Sequence, residues 1–273
     1  MTTRREDTLS AEDIRGRLQK SAVSAFGELT VLDEVDSTNA YLARLPAARR
    51  HRHAVLADSQ TRGRGRRQRT WFSPPGGNIY LSLGWQFPAA LAPLSTLPLA
   101  GAVCLAVALE RAGLRGHGIK WPNDILVGGS KLAGILVESQ SAGSGPLLAV
   151  IGIGLNLRMP SSAGTAGIDR PWTELAAHLP TAQRDVSRNA VAALILGELL
   201  PGMERFEREG FEPFRMDWAR FDLLQGRRVR LEGNGGFHSG KALGIDASGG
   251  LSVEIDGYGP QVLHAAEVSI YDE

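Results

Sequence analysis

The stretch IKWPNDILVGGSKLAGILVE, residues 119–138, constrains the fold more than any other part of the 273-residue sequence. Apolar segments flank Gly128-Gly129, and a glycine pair in that position is a strong signal of a two-residue hairpin turn. We therefore predict two strands joined at this turn, with Lys131 opposite Leu126. Strands joined by a hairpin run antiparallel, so the main sheet is at least partly antiparallel. This excludes a purely parallel, doubly wound sheet and predicts the α+β class.

The rest of the chain mixes helices and strands up to about residue 223, where the pattern changes. Apolar periodicity predicts three main helices, at residues 10–21, 94–113 and 187–209. From residue 224 onward, short alternating strands are separated by Gly-rich turns, as is typical of a small β-barrel. We predict a mixed sheet with helices in residues 1–223, of which 1–28 form a short helical lead, and a barrel in residues 224–273.

Composition and charge exclude several classes of protein. The net charge of +1 and the 22% of charged residues are ordinary for a globular protein and do not suggest a phosphate-binding surface. No apolar run approaches the roughly 20 residues that cross a bilayer, and the N-terminus lacks the apolar core of a secretory signal. Cys104 is the only cysteine, which excludes an internal disulfide. We expect a cytoplasmic protein that does not bind membranes.

The strongest charge pattern is TRGRGRRQRTW, residues 61–71, which contains five arginines and no acid. Its glycines let the backbone approach a ligand, and guanidinium groups bind phosphate or carboxylate bidentately. Five cations repel one another, so we predict that residues 61–70, the arginine loop, are mobile until an anion neutralises them. RG-rich segments that bind RNA are longer and more repetitive. A small-anion site is therefore slightly favoured over a solvated basic loop.

A second motif, KWPND at residues 120–124, ends an apolar strand with a lysine. Pro122 cannot continue a central strand, so the backbone should leave the ladder there. In a regular hairpin Lys120 and Lys131 would share one face roughly 20 Å apart, at ~3.3 Å per residue. They would then bind two separate anionic ends or a polyphosphate, unless Pro122 breaks the register.

Two further motifs bring polar or small residues to strand ends. DSTN, residues 36–39, predicts a helix N-cap whose side chains could also bind a neutral polar ligand. In LLAVIGIGLNL, residues 147–157, Gly152 and Gly154 lie on one face with Asn156. Glycine weakens a strand, so we predict that another group approaches the backbone closely on this face.

Together and in this order, these motifs resemble the biotin–protein ligase family. The resemblance runs from about residue 30 to the C-terminus, and it is carried by DSTN (36–39), SQTRGRGRRQRTW (59–71), SPPGGNIYLSL (73–83), KWPND (120–124), KLAGILVE (131–138) and GIGLNL (152–157). The arginine loop and KWPND at this spacing are specific, whereas either alone would be weak. The resemblance implies a class II synthetase-like catalytic domain in residues 1–223 that binds biotin and ATP. It also implies an SH3-like barrel in residues 224–273.

The resemblance also implies a reaction. Enzymes of this family, biotin–[acetyl-CoA-carboxylase] ligases, make biotinoyl-5′-AMP from biotin and ATP. They then pass the biotinoyl group to a lysine of a biotin carboxyl carrier protein. Two anions must meet in the first step, so cations that offset their repulsion would stabilise the transition state. The resemblance gives this catalytic role to Lys120 and Arg66. Mg²⁺ is expected with the nucleotide, and no His, Cys or carboxylate cluster predicts a protein-held metal.

The remaining site residues follow from the same resemblance. Those implied to bind biotin are Ser37, Thr38, Asn39, Gln60, Arg64, Gly65, Arg66, Lys120 and Gly134. Those implied to bind ATP or the adenylate are Arg64, Arg66, Arg67, Arg69, Trp71, Asn123, Lys131, Asn156 and Trp172, the last by stacking on adenine. Asp124 is expected to orient the acceptor lysine.

Two residues of the arginine loop depart from the family pattern. Gln68 stands where the family usually has glycine, and Arg62 stands where a small residue is common, so both departures affect the conformation of the loop.

Two other functions stay open. One alternative is a lipoate–protein ligase. The other is a nucleic-acid-binding module whose affinity would fall steeply with salt. Only 35 residues precede Asp36, fewer than the roughly 50 of a usual domain, so we expect no DNA-binding repressor. A homodimer is compatible with the sequence.

Overall fold

The computed structural model describes residues 7–19, 22, 26–88, 94–141, 146–160, 168, 170–233 and 236–270. These residues form a seven-stranded mixed sheet covered by helices, followed by a five-stranded antiparallel sheet. The α+β class predicted from the sequence is therefore confirmed.

The helices and strands have the following bounds. The helices are α1 (Ala11–Arg17), α2 (Thr38–Arg44), α3 (Leu97–Arg111), α4 (Leu175–His178), α5 (Arg188–Glu209) and α6 (Arg215–Phe221). The first sheet contains β1 (Glu28–Val35), β2 (His53–Gln60), β3 (Ile79–Phe87), β4 (His117–Lys120), β5 (Asp124–Val127), β6 (Ser130–Ser141) and β7 (Leu147–Leu155). The second, called the C-terminal sheet, contains β8 (Arg228–Gly233), β9 (Gly236–Ile245), β10 (Leu251–Ile255), β11 (Gly259–Leu263) and β12 (Glu267–Ile270).

The topology of the first sheet brings distant motifs to one edge. Its strand order is β1-β2-β3-β7-β6-β5-β4, with β1 and β2 parallel and all other pairs antiparallel. Because β1 and β2 are parallel, their carboxyl ends lie side by side. DSTN follows β1 and the arginine loop follows β2, so the two motifs become neighbours. The backbone amide of Thr38 accordingly donates to Oε1 of Gln60 over 3.0 Å.

The core lies between the sheet and two long helices. α3 packs against α5 and β6, and most of its residues are buried. Residues 94–111 have the length and hydropathy of a membrane-spanning helix, but 67% of this stretch is buried inside the protein. The predicted buried helix is thus a core helix. Burial raises the pKa of the Cys104 thiol in α3 to about 12, which makes this cysteine a poor nucleophile.

The segment 119–138 forms three strands, so the prediction of two was wrong. The chain reverses at residues 121–123, between β4 and β5, before the Gly128-Gly129 turn joins β5 to β6. Pro122 has no amide hydrogen for the ladder, which accounts for the break. The glycine turn itself is confirmed by positive φ angles of 55° and 81°, and Lys131 lies opposite Leu126 as predicted.

A buried arginine connects the N-terminal residues to α5 and β2. Arg188 is only 3% exposed. Its guanidinium donates to Oδ1 of Asp58 over 2.5 Å and to the carbonyl oxygen of Asp7 over 2.8 and 2.6 Å. The Asp7 carboxylate in turn accepts from the Ser187 hydroxyl and the Arg188 amide at the start of α5. These bonds satisfy donors that the first turn of a helix leaves free.

Asp58→Asn is expected to lower the free energy of unfolding by about 2 kcal/mol, because it removes one charged hydrogen-bond partner of a buried cation. Urea unfolding measures the change. The matched control is Asp33→Asn, which alters an exposed carboxylate on the neighbouring strand and should stay within ~0.5 kcal/mol of the unchanged protein. Equal stability of the two variants would contradict a role for Asp58 in holding Arg188.

Candidate active site

A cavity of about 690 Å³ lies where the DSTN motif, the arginine loop and the β4–β6 hairpins meet. Every residue proposed for the site from the sequence lines it. These residues are Ser37, Thr38, Asn39, Gln60, Arg64, Gly65, Arg66, Arg67, Arg69, Trp71, Lys120, Asn123, Asp124, Lys131, Gly134, Asn156 and Trp172. The fold therefore collects motifs that are more than 100 residues apart in sequence around one volume.

A chain of polar side chains forms one wall of the cavity. The Ser82 hydroxyl lies 2.7 Å from Oγ1 of Thr38 and 2.6 Å from Oδ1 of Asn39. Gln60 accepts from Thr38 through Oε1 and donates to Ser73 through Nε2. Ser37 occupies the N-cap position of α2, as predicted, but its side chain makes no capping hydrogen bond. Ser37 lines the cavity, and its hydroxyl is not used in capping α2.

The glycine face of β7 is contacted by two protein side chains. A Cβ atom at Gly152 would lie 2.3 Å from Oδ1 of Asn39, and one at Gly154 would lie 2.3 Å from the indole of Trp71. The predicted close approach to this face is thus made by Asn39 and Trp71. Both residues come from motifs distant in sequence, so these glycines let the side chains reach the floor of the cavity.

Lys120 and Lys131 meet at Asp124, which corrects the expected separation of the two lysines. Lys120 pairs with Asp124 across the β4–β5 hairpin, and Nζ of Lys131 lies 2.7 Å from Oδ1 of Asp124. Burial lowers the pKa of Lys120, and the charge of Asp124 opposes that shift. The sequence predicts that the two lysines lie far apart unless Pro122 breaks the strand register. The chain does break at Pro122, and both lysines line one cavity.

The arginine loop folds back over the cavity. Arg66 donates to Oδ1 of Asn123 over 3.0 Å, and Nδ2 of Asn123 donates to the carbonyl oxygen of Ile135, which anchors this contact on β6. Burial lowers the pKa of Arg66, with a further contribution from the charge of Arg67. A half-buried guanidinium destabilised in this way favours the arrival of an anion.

Glu138 connects the arginine loop to the DSTN motif. One of its carboxylate oxygens lies 3.0 Å from Nη1 of Arg64, and the other accepts from Nδ2 of Asn39 over 2.7 Å. Glu138 belongs to the KLAGILVE stretch, but no sequence pattern singled it out as part of a site.

Two non-glycine residues of the loop have a left-handed backbone. Arg67 has φ of 53° and Gln68 has φ of 61°. Glycine adopts this conformation without steric cost, whereas a side chain makes it unfavourable. The departure noted at Gln68 therefore falls at a position where the backbone geometry favours glycine.

The segment around Trp172 is attached to β6. The backbone amide of Lys131 donates to the carbonyl oxygen of Pro171, and the amide of Thr173 donates to that of Lys131. Nδ2 of Asn156 donates to the carbonyl oxygen of Thr173 over 3.1 Å. Asn156 thus uses its amide to hold the strand-like segment that carries Trp172 at the cavity.

Comparisons with known proteins identify the family of the chain. Residues 31–156 match the Biotin/lipoate A/B protein ligase family. The chain is 35% identical over 249 residues to the bifunctional ligase/repressor BirA of Escherichia coli, covering 91% of this chain and 74% of that protein. It is 34% identical to the biotin–[acetyl-CoA-carboxylase] ligase of Paracoccus denitrificans, covering 87% of this chain and 98% of that one. The chain belongs to the biotin–protein ligase family.

A solved structure of another family member shares the fold. The biotin protein ligase from Aquifex aeolicus, in complex with biotin and ATP, superposes with a TM-score of 0.76 at 29% identity. The match covers 91% of this chain and all of that one.

Two charged residues of the cavity in this biotin–protein ligase were missed by the sequence reasoning. Arg170 lines the cavity beside Trp172, and Glu267 reaches it from the start of β12. An isolated arginine in a loop and a single glutamate in a C-terminal strand have no local signal that distinguishes them. Only the packing of the C-terminal sheet against the cavity reveals Glu267.

Proposed function

We propose that this protein is an ATP-dependent biotin–protein ligase that uses Lys120 and Arg66 as its catalytic cations. The carboxylate oxygen of biotin attacks the α-phosphorus of ATP, the bond to the β-phosphate oxygen breaks, and pyrophosphate leaves. The amine of an acceptor lysine then attacks the carbonyl carbon of biotinoyl-5′-AMP, AMP leaves, and the amine loses a proton. The observation that carries the proposal is the placement of two half-buried cations, Lys120 and Arg66, in one cavity.

The two cations suit the first half-reaction. Burial lowers the pKa of each, so each charge is destabilised by its surroundings and gains most when an anion arrives. Negative charge grows around the α-phosphate as it is transferred, and preorganised cations stabilise that charge without further reorganisation. Asn123 holds Arg66 from the β4–β5 turn, immediately after the strand that ends at Lys120.

The polar wall suits the biotin end of the substrate. Ser37 offers a hydroxyl free of capping, while Thr38, Asn39 and Gln60 are fixed by their mutual contacts with Ser82 and Ser73. Such fixed hydroxyl and amide groups match a neutral ureido ring, which both donates and accepts hydrogen bonds. Arg64 and Gly65 of the arginine loop also line the cavity, Arg64 shares the Glu138 carboxylate with Asn39 of this wall, and Gly134 lines the cavity from β6.

The aromatic and basic residues of the cavity suit the nucleotide. Trp71 lies on Gly154 with Nζ of Lys131 5.3 Å from its ring centroid, and Trp172 offers a second aromatic surface for adenine. Arg67 and Arg69 supply charge for the phosphates, and Asn156 supports the Trp172 segment. Mg²⁺ would bind to the cavity together with ATP, held by the phosphates of the nucleotide. Among residues 7–270 that the structure describes, no group of three His, Cys, Asp or Glu side chains could hold a metal.

The second half-reaction requires a macromolecular partner and a way to orient its lysine. We propose a biotin carboxyl carrier protein as the acceptor, with Asp124 orienting the incoming amine once Lys131 turns to the nucleotide. The cytoplasm fits this role, because the buried thiol of Cys104 needs no oxidising compartment.

The test is pyrophosphate release from ATP and Mg²⁺, with biotin or lipoate added singly. Biotin-dependent release is the expected result. Release with lipoate alone would preserve the chemistry and overturn the substrate. If neither biotin nor lipoate supports pyrophosphate release, and the protein binds single-stranded RNA in a salt-sensitive way, the nucleic-acid-binding module is favoured instead.

A further inference from the structure

A single carboxylate of the C-terminal sheet contacts three arginines at the cavity. Glu267 lies 2.6 Å from Nη2 of Arg69 and 3.4 Å from Nη1 of Arg67, and it forms a further ion pair with Arg170. Its side chain is 19% exposed, whereas the three arginine side chains are 42–52% exposed. The carboxylate is thus the enclosed partner, and the guanidinium groups surround it.

These contacts flank the unfavourable part of the arginine loop. Arg67 and Gln68 have the left-handed backbone described above, and Arg67 and Arg69 are the loop residues that Glu267 contacts. Within the loop, the amide of Gly65 donates to the carbonyl oxygen of Arg69 over 2.7 Å. An unfavourable backbone conformation persists only where surrounding contacts hold it. Glu267 provides such contacts from almost 200 residues away.

Repulsion among the arginines also favours a structural role for the Glu267 carboxylate. The charges of Arg67 and Arg69 both contribute to lowering the pKa of Arg170, after the larger effect of burial. Three guanidinium groups so close together repel one another unless an anion lies among them. Before the nucleotide arrives, Glu267 supplies that anion from the protein itself.

We propose that Glu267 is a positioning residue for adenylation. Its carboxylate holds Arg67, Arg69 and Arg170 together over the cavity, so that the phosphates of ATP meet an arginine loop that is already folded. The C-terminal sheet thereby acts on the nucleotide without being part of the catalytic cation pair. This inference rests on the proposed function for its kinetic test, but the state of the loop can be tested without any reaction.

Glu267→Gln is expected to raise the KM for ATP about tenfold or more, while kcat and the Kd for biotin change less than about twofold, because ordering the loop would have to be driven by the nucleotide. In the absence of ligands, trypsin should also cleave the variant faster within residues 62–69. Glu267→Asp should recover part of the effect.

The chain offers a matched control and a second-site rescue. Glu254 is an exposed carboxylate on β10 of the same C-terminal sheet. Glu254→Gln should leave the KM for ATP and the cleavage rate unchanged. Gln68→Gly, combined with Glu267→Gln, should recover part of the ATP affinity because glycine relieves the left-handed backbone.

Several results would overturn the proposal. An unchanged KM for ATP in Glu267→Gln would show that the carboxylate positions nothing, and a lower KM would show that it merely occupies the place of a phosphate. Equal effects of Glu254→Gln and Glu267→Gln would indicate a general electrostatic effect of the C-terminal sheet rather than a specific role of Glu267. If Glu267→Gln does not fold, Arg69→Gln should reproduce the higher KM and the faster cleavage. If the unchanged protein releases no pyrophosphate with biotin, the proposed function fails, while the cleavage comparison still tests the role of Glu267.

Discussion

Lys120→Ala is expected to reduce biotin-dependent pyrophosphate release by about 10²–10³-fold, the range seen when one preorganised group is removed from a transition state. Lys120 lines the cavity beside Arg66, and burial lowers its pKa, so its charge is most effective when an anion reaches it. The variant should stay folded, because Lys120 lies at the end of the short edge strand β4. Single-turnover adenylation measures the loss directly.

The companion variant and the controls separate a catalytic role from a general loss of charge. Arg66→Ala should give a loss of similar size. Arg62→Ala removes an exposed arginine from the same loop that does not line the cavity, and Lys241→Ala removes an exposed lysine from the C-terminal sheet. Both controls should retain activity within about threefold. Near-normal turnover in Lys120→Ala would show that Lys120 is not a catalytic residue.

Gly154→Ala is expected to abolish measurable ATP binding, with a loss of at least ~100-fold, while the protein remains folded. The new methyl group would lie 2.3 Å from Cε2 and 2.6 Å from Nε1 of Trp71, closer than any real contact allows. Gly154 is on β7, between β3 and β6 at the centre of the sheet, so the backbone cannot retreat. Trp71 must therefore leave the floor of the cavity. Isothermal titration with ATP measures the loss, and the cost of overpacking is about 1–3 kcal/mol of stability.

Two other glycines serve as controls for that substitution. At Gly134 a methyl group would meet its nearest atoms at 3.3 Å, two of them at the flexible end of Lys131, so Gly134→Ala should weaken ATP binding far less. At Gly197, inside α5, nothing lies within 4 Å, so Gly197→Ala should leave binding unchanged and stabilise the helix by about 0.5–1 kcal/mol. Full ATP affinity in Gly154→Ala would mean that the position of Trp71 does not matter for the nucleotide.

The C-terminal sheet has a different relation to the site from that of the catalytic motifs. DSTN, the arginine loop and KWPND lie within residues 36–124 and meet because β1 and β2 are parallel and β4 and β5 form a hairpin. The C-terminal sheet adds one carboxylate, Glu267, to three arginines of that site. This arrangement makes the order of the arginine loop depend on a separate part of the chain.

Local features of the chain could be predicted because their causes are local. The positive φ angles at Gly128-Gly129, the cap of α1 by Ser10 and the buried apolar helix α3 all follow from residues a few positions apart. The break at Pro122 was predicted, but its consequence for Lys120 and Lys131 was stated only as a condition, because sequence does not show whether a proline bends a strand or ends it. Its outcome placed Lys120 opposite Asp124 and moved Lys131 into the same cavity.

The sequence by itself determined the α+β class, the glycine hairpin, the arginine loop and the residues of the candidate site, because each is recorded in short runs of residue types and spacings. Only the tertiary structure decided that Asn39 and Trp71 fill the glycine face of β7, that Asp124 lies between two lysines, and that Glu267 holds the loop. These contacts join residues from about 80 to 200 positions apart, except at Asp124. No local periodicity links such positions, so only the packed sheets bring them within a few ångströms.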